Sequence, residues 1–200
     1  MDKFKNKYRI PSARLQSWNY GYHAAYFITI CTQNRIHYFG EIAEYEMHLN
    51  ELGKIVENEW LKTIELRPDM NLEMGNFVVM PNHFHAIIVF GNNKYNTECV
   101  DGGGDGITDA SDGEYGGAMH CASTTQNRFG PQSKNLASIV RGFKSSVTTN
   151  ARKLGIVDFS WQSRFHDHII RNAQSFENIQ NYIANNALNW GKDKFYKKLT

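Results

Sequence analysis

The chain has 200 residues, of which 41% are hydrophobic and 13% aromatic, which is enough for one domain with a packed core and too few for two large domains. There is neither a membrane-length apolar run nor the apolar core of a signal peptide, and the three cysteines form no CxxC pair, so we expect a cytoplasmic protein without a membrane anchor. The net charge is +2, but residues 96–127 hold six acidic residues and no Lys or Arg. The rest of the chain therefore has 22 basic and 14 acidic residues (20 less these six), a net charge of +8 that favours a polyanionic partner, with a merely soluble surface as the alternative.

Three strands and one helix are predicted before residue 96. Residues 25–32 are rich in aromatic and β-branched side chains, which is typical of a central strand. Residues 47–66 carry apolar side chains near helical spacing and are followed by a proline, so they predict a helix. Residues 71–80 and 83–90 predict two further strands, joined by a Pro-Asn turn.

Residues 96–131 form the one break in composition. They are rich in Gly, Asp, Ser and Thr and poor in large apolar residues, so they cannot bury enough surface to offset the entropy lost on ordering. We predict a flexible loop inserted in a single domain that spans residues 1–200. Cys99, His120 and Cys121 lie in this loop, but a zinc site would need a fourth ligand and regular spacing, which are missing.

A helix, a strand and a last helix are predicted after the loop. They cover residues 135–155, 164–172 and 175–190, and Ser175 is the expected N-cap of the last helix. The whole order is β-α-β-β-α-β followed by a helix. This order is typical of an α+β fold of the ferredoxin-like or RRM-like kind, in which two helices cover one face of an antiparallel sheet. The last helix is then free to cross the other face.

The segment VVMPNHFHAIIVF places two histidines in an otherwise apolar strand. Because strand side chains alternate between faces, His83 and His85 point to one side of the sheet. Two neighbouring imidazoles suit a metal ion, whereas the alternative is that each is a polar residue on a solvated face. The segment RFHDHIIRN has the same spacing at His166 and His168, which makes these residues a rival metal pair by geometry alone.

The last predicted helix offers a further ligand and a nucleophile. Tyr182 and Asn186 are four residues apart, so they share a helical face, and neither belongs to the apolar stripe of that helix. Turned toward the histidine pair, the tyrosine would be the nucleophile and the asparagine oxygen would complete a metal shell. The alternative is that Tyr182, one of ten tyrosines, is a packing residue.

These residues resemble the HUH endonucleases, in the branch of single-tyrosine insertion-sequence transposases, and are most similar to the REP-associated tyrosine transposases. The resemblance rests on PNHFH and on a C-terminal helix that bears Tyr-Ile-x-x-Asn. Further similar blocks follow in the order of the family: RLQSWNYGYHAAYFITICTQNRIHYFGEI, LASIVRGFKSSVT, WQSRFHDHIIRN and NYIANNALNWGKDKF. Together they cover nearly the whole chain except the Asp/Gly-rich loop.

The resemblance implies that His83 and His85 bind a divalent cation, Mg²⁺ or Mn²⁺, that Asn186 completes the metal site and that Tyr182 attacks DNA. The imidazole ligands tilt the choice somewhat toward Mn²⁺. The reaction would nick single-stranded DNA, leave a 5′-phosphotyrosine and a free 3′-OH, and rejoin the strand elsewhere without ATP, as DNA transposition requires.

In one place the chain departs from the pattern of the family, which often has a proline after the helix asparagine. Here the residue is Ala187. Because alanine continues a helix more readily than proline, we expect the last helix to run on toward Trp190.

The resemblance also implies a partner, single-stranded DNA with short imperfect hairpins. The basic residues predicted to contact it are Arg14, Arg141, Lys144 and Arg164, with a solvated surface as the alternative. Monomer and homodimer are both open.

Two other classes of function fit parts of the sequence. A nucleotide hydrolase of the histidine-triad kind would need a third histidine two positions after His85, where this chain has Ile87. A non-catalytic module that holds a nucleic-acid hairpin on an RRM-like sheet is the second. The presence of both histidines, the tyrosine and the asparagine favours an enzyme over such a module.

Overall fold

The computed structural model describes residues 18–96 and 133–196, together with the backbone of two short N-terminal strands. Arg14 and, apart from Asn96, the loop predicted at residues 96–131 lie outside the described residues. In chain order the elements are β1 (Lys3–Phe4), β2 (Lys7–Tyr8), β3 (Ala24–Cys31), β4 (Gly40–Ala43), β5 (Glu46–Leu49), α1 (Glu51–Glu65), β6 (Leu72–Met80), β7 (His83–Phe90), α2 (Leu136–Lys153), β8 (His166–Ile170) and α3 (Ala173–Ala184).

The predicted β-α-β-β-α-β order is confirmed. Strands β3, β6, β7 and β8 form a four-stranded antiparallel sheet in the order β6-β7-β3-β8, with β3 hydrogen-bonded on both sides. Helices α1 and α2 pack against each other over one face, and α3 contacts β6 and β7 on the other. This is the ferredoxin-like α+β arrangement, with the additional hairpin β4-β5 inserted before α1.

Each face of the sheet has its own apolar cluster, because successive strand residues point to opposite sides. The larger cluster lies under α1 and α2, where the buried Trp60 ring packs 5.1 Å from Phe84 and 5.3 Å from Phe143 between ring centroids. The smaller cluster lies under α3 and centres on Ile87, Ile183 and a third isoleucine of β8. The smaller cluster therefore leaves room on its own face of the sheet for polar residues. None of the described helices combines the length and the apolar character needed to cross a membrane.

The first helix begins later than residue 47, where the sequence pattern placed its start. Residues 46–49 form β5 instead, paired with β4 through a turn at Glu44 and Tyr45, both of which have positive φ. Asn50 then caps α1, its side chain accepting a hydrogen bond from the Gly53 amide. The apolar residues before Asn50 suit one face of a hairpin as well as one face of a helix, which is why their spacing misled the prediction.

The last helix is shorter than predicted and begins earlier. Its N-cap is Asn172, whose side chain accepts a 2.8 Å hydrogen bond from the Ser175 amide, so the prediction of Ser175 as the cap was wrong. The helix ends at Ala184 and does not run on to Trp190. Asn185 donates its side-chain amide to the Asn181 carbonyl, and such local bonds compete with helix continuation. The propensity of Ala187 was therefore outweighed by the asparagines before it.

Gly53 permits a close approach between α1 and the chain before β4. A Cβ at this position would lie 2.2 Å from the Phe39 carbonyl oxygen. We expect Gly53→Ala to lower the free energy of unfolding by about 1–3 kcal/mol, although alanine normally stabilises a helix by about 1 kcal/mol over glycine. Urea unfolding measures this, with Asn58→Ala at an exposed position of α1 as the control that should be neutral or stabilising. Unchanged stability of Gly53→Ala would contradict the close approach.

Candidate active site

His83 and His85 stand at the start of β7, on the sheet face that α3 crosses. Both are buried, and their ring centroids lie 4.5 Å apart. Asn82 fixes the first ring, because its Oδ1 accepts a 2.9 Å hydrogen bond from His83 Nδ1. The Asn82 amide nitrogen donates to the backbone carbonyls of Arg35 and Phe195. The turn before β7 therefore sets the orientation of His83 and ties it to two distant segments.

The Nδ1 atoms of both rings contact polar side chains, so both Nε2 atoms face the site. The amide oxygen of Asn82 can only accept, so His83 Nδ1 carries the proton and His83 Nε2 keeps a lone pair. His85 Nδ1 lies 2.8 Å from the Thr29 hydroxyl. Burial lowers the pKa of His83 to about 3 and holds the pKa of His85 well below its usual value. Both imidazoles are therefore neutral near pH 7, the state in which histidine binds metals.

Tyr182 reaches this site from α3. Ile183 faces the small apolar cluster, which turns the neighbouring Tyr182 side chain along the sheet surface. Its hydroxyl lies 3.2 Å from His85 Nε2 and 3.3 Å from Asp193 Oδ2. Burial, followed by the charge of the Asp193 carboxylate, raises the pKa of Tyr182 to about 12. The phenol therefore holds its proton at neutral pH while remaining 40% exposed to an incoming ligand.

Asn186 joins the site just beyond the end of α3. It is 2% exposed, and its amide nitrogen donates to Asp193 Oδ2 at 3.4 Å. Asn186 Oδ1 and His83 Nε2 are both buried and have no hydrogen-bond partner among the described residues. Because an unsatisfied buried polar atom costs roughly 1–3 kcal/mol, two of them in one site indicate a ligand that binds there.

Asp193 is a site residue that the sequence prediction missed. Its carboxylate accepts hydrogen bonds from Tyr182, Asn186 and the Phe195 amide. Ligand atoms of His83, His85 and Asp193 all lie within 4.8 Å of one another. Asp193 is the only acidic residue after Glu177, and it belongs to the block NYIANNALNWGKDKF, which was a signal that could have identified it.

Aromatic side chains after α3 cover the histidine pair. The buried Phe195 ring lies 4.7 Å from the His83 ring and 5.8 Å from the His85 ring, and Trp190 lies 5.9 Å from His83. The Arg35 guanidinium sits 5.1 Å above Phe195 and donates to the Lys194 carbonyl. These contacts shield one side of the site from water, which leaves its open side next to Tyr182.

The rival pair, His166 and His168, is not brought into this cluster. Both residues are exposed on β8. They lie on the same sheet face as His85, but β3 separates the two strands, since Thr29 pairs with both His85 and His166. Two strand spacings amount to roughly 10 Å, which is too far for a shared metal shell.

Two of the predicted DNA-contacting residues lie away from the site. Arg141 and Lys144 lie on α2, which covers the opposite face of the sheet. Arg141 and Arg164 are exposed, whereas Lys144 is half-buried and donates its ammonium to the Gln162 carbonyl. Burial lowers the pKa of Lys144. Contact of these residues with DNA stays a prediction.

Comparison with known proteins finds relatives by sequence and by structure. No protein-family model matches the chain. An uncharacterized protein of Haemophilus influenzae (strain KW20 / Rd) is 34% identical over 185 residues, covering 92% of each chain. The structure of a REP-associated tyrosine transposase bound to a REP hairpin superposes with a TM-score of 0.51 and 17% identity, covering 92% of this chain and 77% of that one. The chain therefore belongs to the same family as the Haemophilus influenzae protein, and its fold is similar to that of a REP-associated tyrosine transposase.

Proposed function

We propose that this protein is a single-tyrosine member of the HUH endonucleases. It nicks single-stranded DNA at hairpin sequences, of the REP or element-end kind, and transfers the strand in DNA transposition. The observation that carries the proposal is the Tyr182 hydroxyl, 3.2 Å from the Nε2 atom of a buried, neutral His85. A nucleophile, a metal-binding histidine pair and an amide oxygen from a different element converge there.

A divalent cation fits the chemistry of this site. His83 and His85 offer nitrogen lone pairs, and Asn186 offers an amide oxygen that otherwise has no partner among the described residues. The Asp193 carboxylate lies close enough to balance the positive charge. Two nitrogen and one or two oxygen donors suit Mn²⁺ or Mg²⁺. When bound, the cation would neutralise charge that develops on the scissile phosphate.

The chain's own residues position the nucleophile. Tyr182 Oη attacks the scissile phosphorus, a new P–O bond to the tyrosine forms, and the bond from phosphorus to the 3′-oxygen breaks, which leaves a free 3′-OH. Because the pKa of Tyr182 is raised to about 12, its proton has to leave during attack. The Asp193 carboxylate, with Oδ2 3.3 Å from Oη, is the acceptor in reach that is not a metal-binding nitrogen. Attack by another 3′-OH reverses the step without ATP, since the phosphotyrosine retains the energy of the phosphodiester.

DNA as the partner is supported by charge and by fold. The chain outside residues 96–127 has a net charge of +8. The transposase of similar fold is bound to a REP hairpin. Phosphate contacts to a basic surface would make DNA affinity fall steeply with salt.

The proposal is tested with single-stranded, hairpin-bearing DNA from the flanks of the gene. The DNA is labelled at its 3′ end in one reaction and at its 5′ end in another, incubated with Mn²⁺ or Mg²⁺, and run on a denaturing gel. A 5′-phosphotyrosine predicts a labelled protein-DNA adduct with the 3′ label and a short free product with the 5′ label. EDTA should abolish both products.

Two results would contradict the proposal in different ways. Tight hairpin binding without adduct or product in either metal would favour the non-catalytic binding module. An adduct that carries the 5′ label would reverse the polarity of the covalent link.

A further inference from the structure

An open cleft lies between α3 and the sheet, directly beside Tyr182. Its volume is about 600 Å³, within the range of roughly 300–1,000 Å³ that is usual for small-molecule sites. Phe27 of β3 lines the floor, where its ring stacks 5.2 Å from His85 and lies edge-on at 6.1 Å from Tyr182. The cleft is thus continuous with the proposed active site and is large enough to admit one nucleotide.

The helix side of the cleft is a stripe of four asparagines. They recur every three or four residues along α3 and the turns that follow it, at Asn178, Asn181, Asn185 and Asn189. All four are exposed. Asparagine amides can donate and accept hydrogen bonds without adding charge to the cleft.

Local hydrogen bonds orient part of this stripe. Asn185 Nδ2 donates to the Asn181 carbonyl at 2.8 Å, and Asn189 Nδ2 donates to the Asn185 carbonyl at 3.0 Å. The amide nitrogens are turned back to the helix by these bonds, so the amide oxygens are the groups presented to a ligand. The Asn181 amide is next to Tyr182 in sequence and reaches the cleft beside it.

The charges of the cleft lie at one end. Lys192 and Lys194 line it near Asp193, whereas the asparagine stripe extends away from that end. Lysines suit backbone phosphates, and asparagine amides match the hydrogen-bonding edges of bases. The Watson–Crick edge of a base can meet these amides only when the base is unpaired, because base pairing occupies that edge.

We propose that this cleft holds one unpaired nucleotide next to the scissile phosphate, and that the amides of Asn181 and Asn185 select its base. The inference rests on the proposed function, because it identifies the cleft by its position beside the tyrosine nucleophile. Under this inference the protein, and not the hairpin stem, selects the base at the nick.

The test compares Asn181→Leu and Asn185→Leu with the wild type. Leucine keeps the side-chain volume and removes the amide, and Glu177→Gln, at an exposed position of α3 outside the cleft, is the control. Hairpin DNA randomised at the unpaired positions around the nick is cleaved, and the covalent adducts are sequenced. We expect the wild type to favour one base at one position by roughly tenfold, and the leucine variants to flatten that preference. A profile identical to that of the wild type would overturn the inference while the adduct itself upholds the proposed function.

A measurement without chemistry separates the two proposals. Fluorescence anisotropy in EDTA gives the affinity for a short labelled single strand. We expect this affinity to fall roughly tenfold in Asn181→Leu and to be unchanged in Glu177→Gln. If the wild type forms no adduct, the proposed function fails together with the position beside a scissile phosphate, and the binding result then decides only whether the cleft holds an unpaired nucleotide. Equal affinity of wild type and Asn181→Leu would overturn it.

Discussion

Tyr182→Phe is expected to reduce formation of the covalent adduct by roughly 10³-fold or more, to below detection on a denaturing gel. The substitution removes only the hydroxyl that lies 3.2 Å from His85 Nε2, and the ring keeps its packing against Phe27. Because the side chain is 40% exposed, we expect little change in the free energy of unfolding. Affinity for hairpin DNA should stay within about twofold, since phosphate contacts dominate affinity.

The matched control is Tyr45→Phe. Tyr45 is 70% exposed at the turn of the β4-β5 hairpin and takes no part in the site. The Tyr45→Phe variant also loses a tyrosine hydroxyl and should form the adduct at the rate of the wild type. Adduct formation by Tyr182→Phe at a normal rate would mean that another tyrosine is the nucleophile, and peptide mapping of the adduct would identify it.

Removal of either histidine of the proposed metal site is the second change with a large expected effect. The wild type should gain stability when Mn²⁺ is added, because the proposed site would give a ligand to His83 Nε2 and Asn186 Oδ1, which are buried without a partner among the described residues. At a concentration 100-fold above Kd the gain is about 2.7 kcal/mol, or a rise in Tm of roughly 5–10 °C. In His83→Ala and His85→Ala we expect this rise to disappear, together with adduct formation.

The readout is the difference in Tm between Mn²⁺ and EDTA for each variant, so a loss of stability caused by the cavity cancels. His168→Ala serves as the control, because His168 lies exposed on the same sheet face, on the edge strand β8. It should keep the full rise in Tm and the adduct. Loss of the rise in His168→Ala, with its retention in His83→Ala, would assign the metal to the rival pair.

The fold and the convergence of the histidine pair with the helix follow from local patterns in the sequence. The period of two along β7 places His83 and His85 on one face. The spacing of four predicted Tyr182 and Asn186 on one helical face, and Asn186 still reaches the site although it lies in the turn after Ala184. Both patterns are set by backbone geometry over a few residues, so they can be predicted without knowing the contacts of distant segments.

What the sequence could not predict depends on contacts between distant segments. Asp193 enters the site only because the chain turns back after Ala184, and no period in the sequence marks that turn. Asn82 was predicted only as part of a turn, yet its side-chain amide donates hydrogen bonds to the backbone carbonyls of Arg35 and Phe195. The role of Asn82 follows from side-chain hydrogen bonds that span 47 and 113 residues of the chain. The role of Asp193 follows from bonds to Tyr182 and Asn186 across the turn after α3, and intrinsic propensities encode neither set of bonds.

The position of Phe195 and Asp193 beyond α3 separates two parts of the chain. The strands of the sheet and the helices α1, α2 and α3 all lie before residue 185. The carboxylate and the aromatic cover of the proposed site belong to residues 190–195. The segment that builds the sheet is therefore distinct from the segment that completes the proposed site, so a change in residues 190–195 can alter the site without altering the sheet.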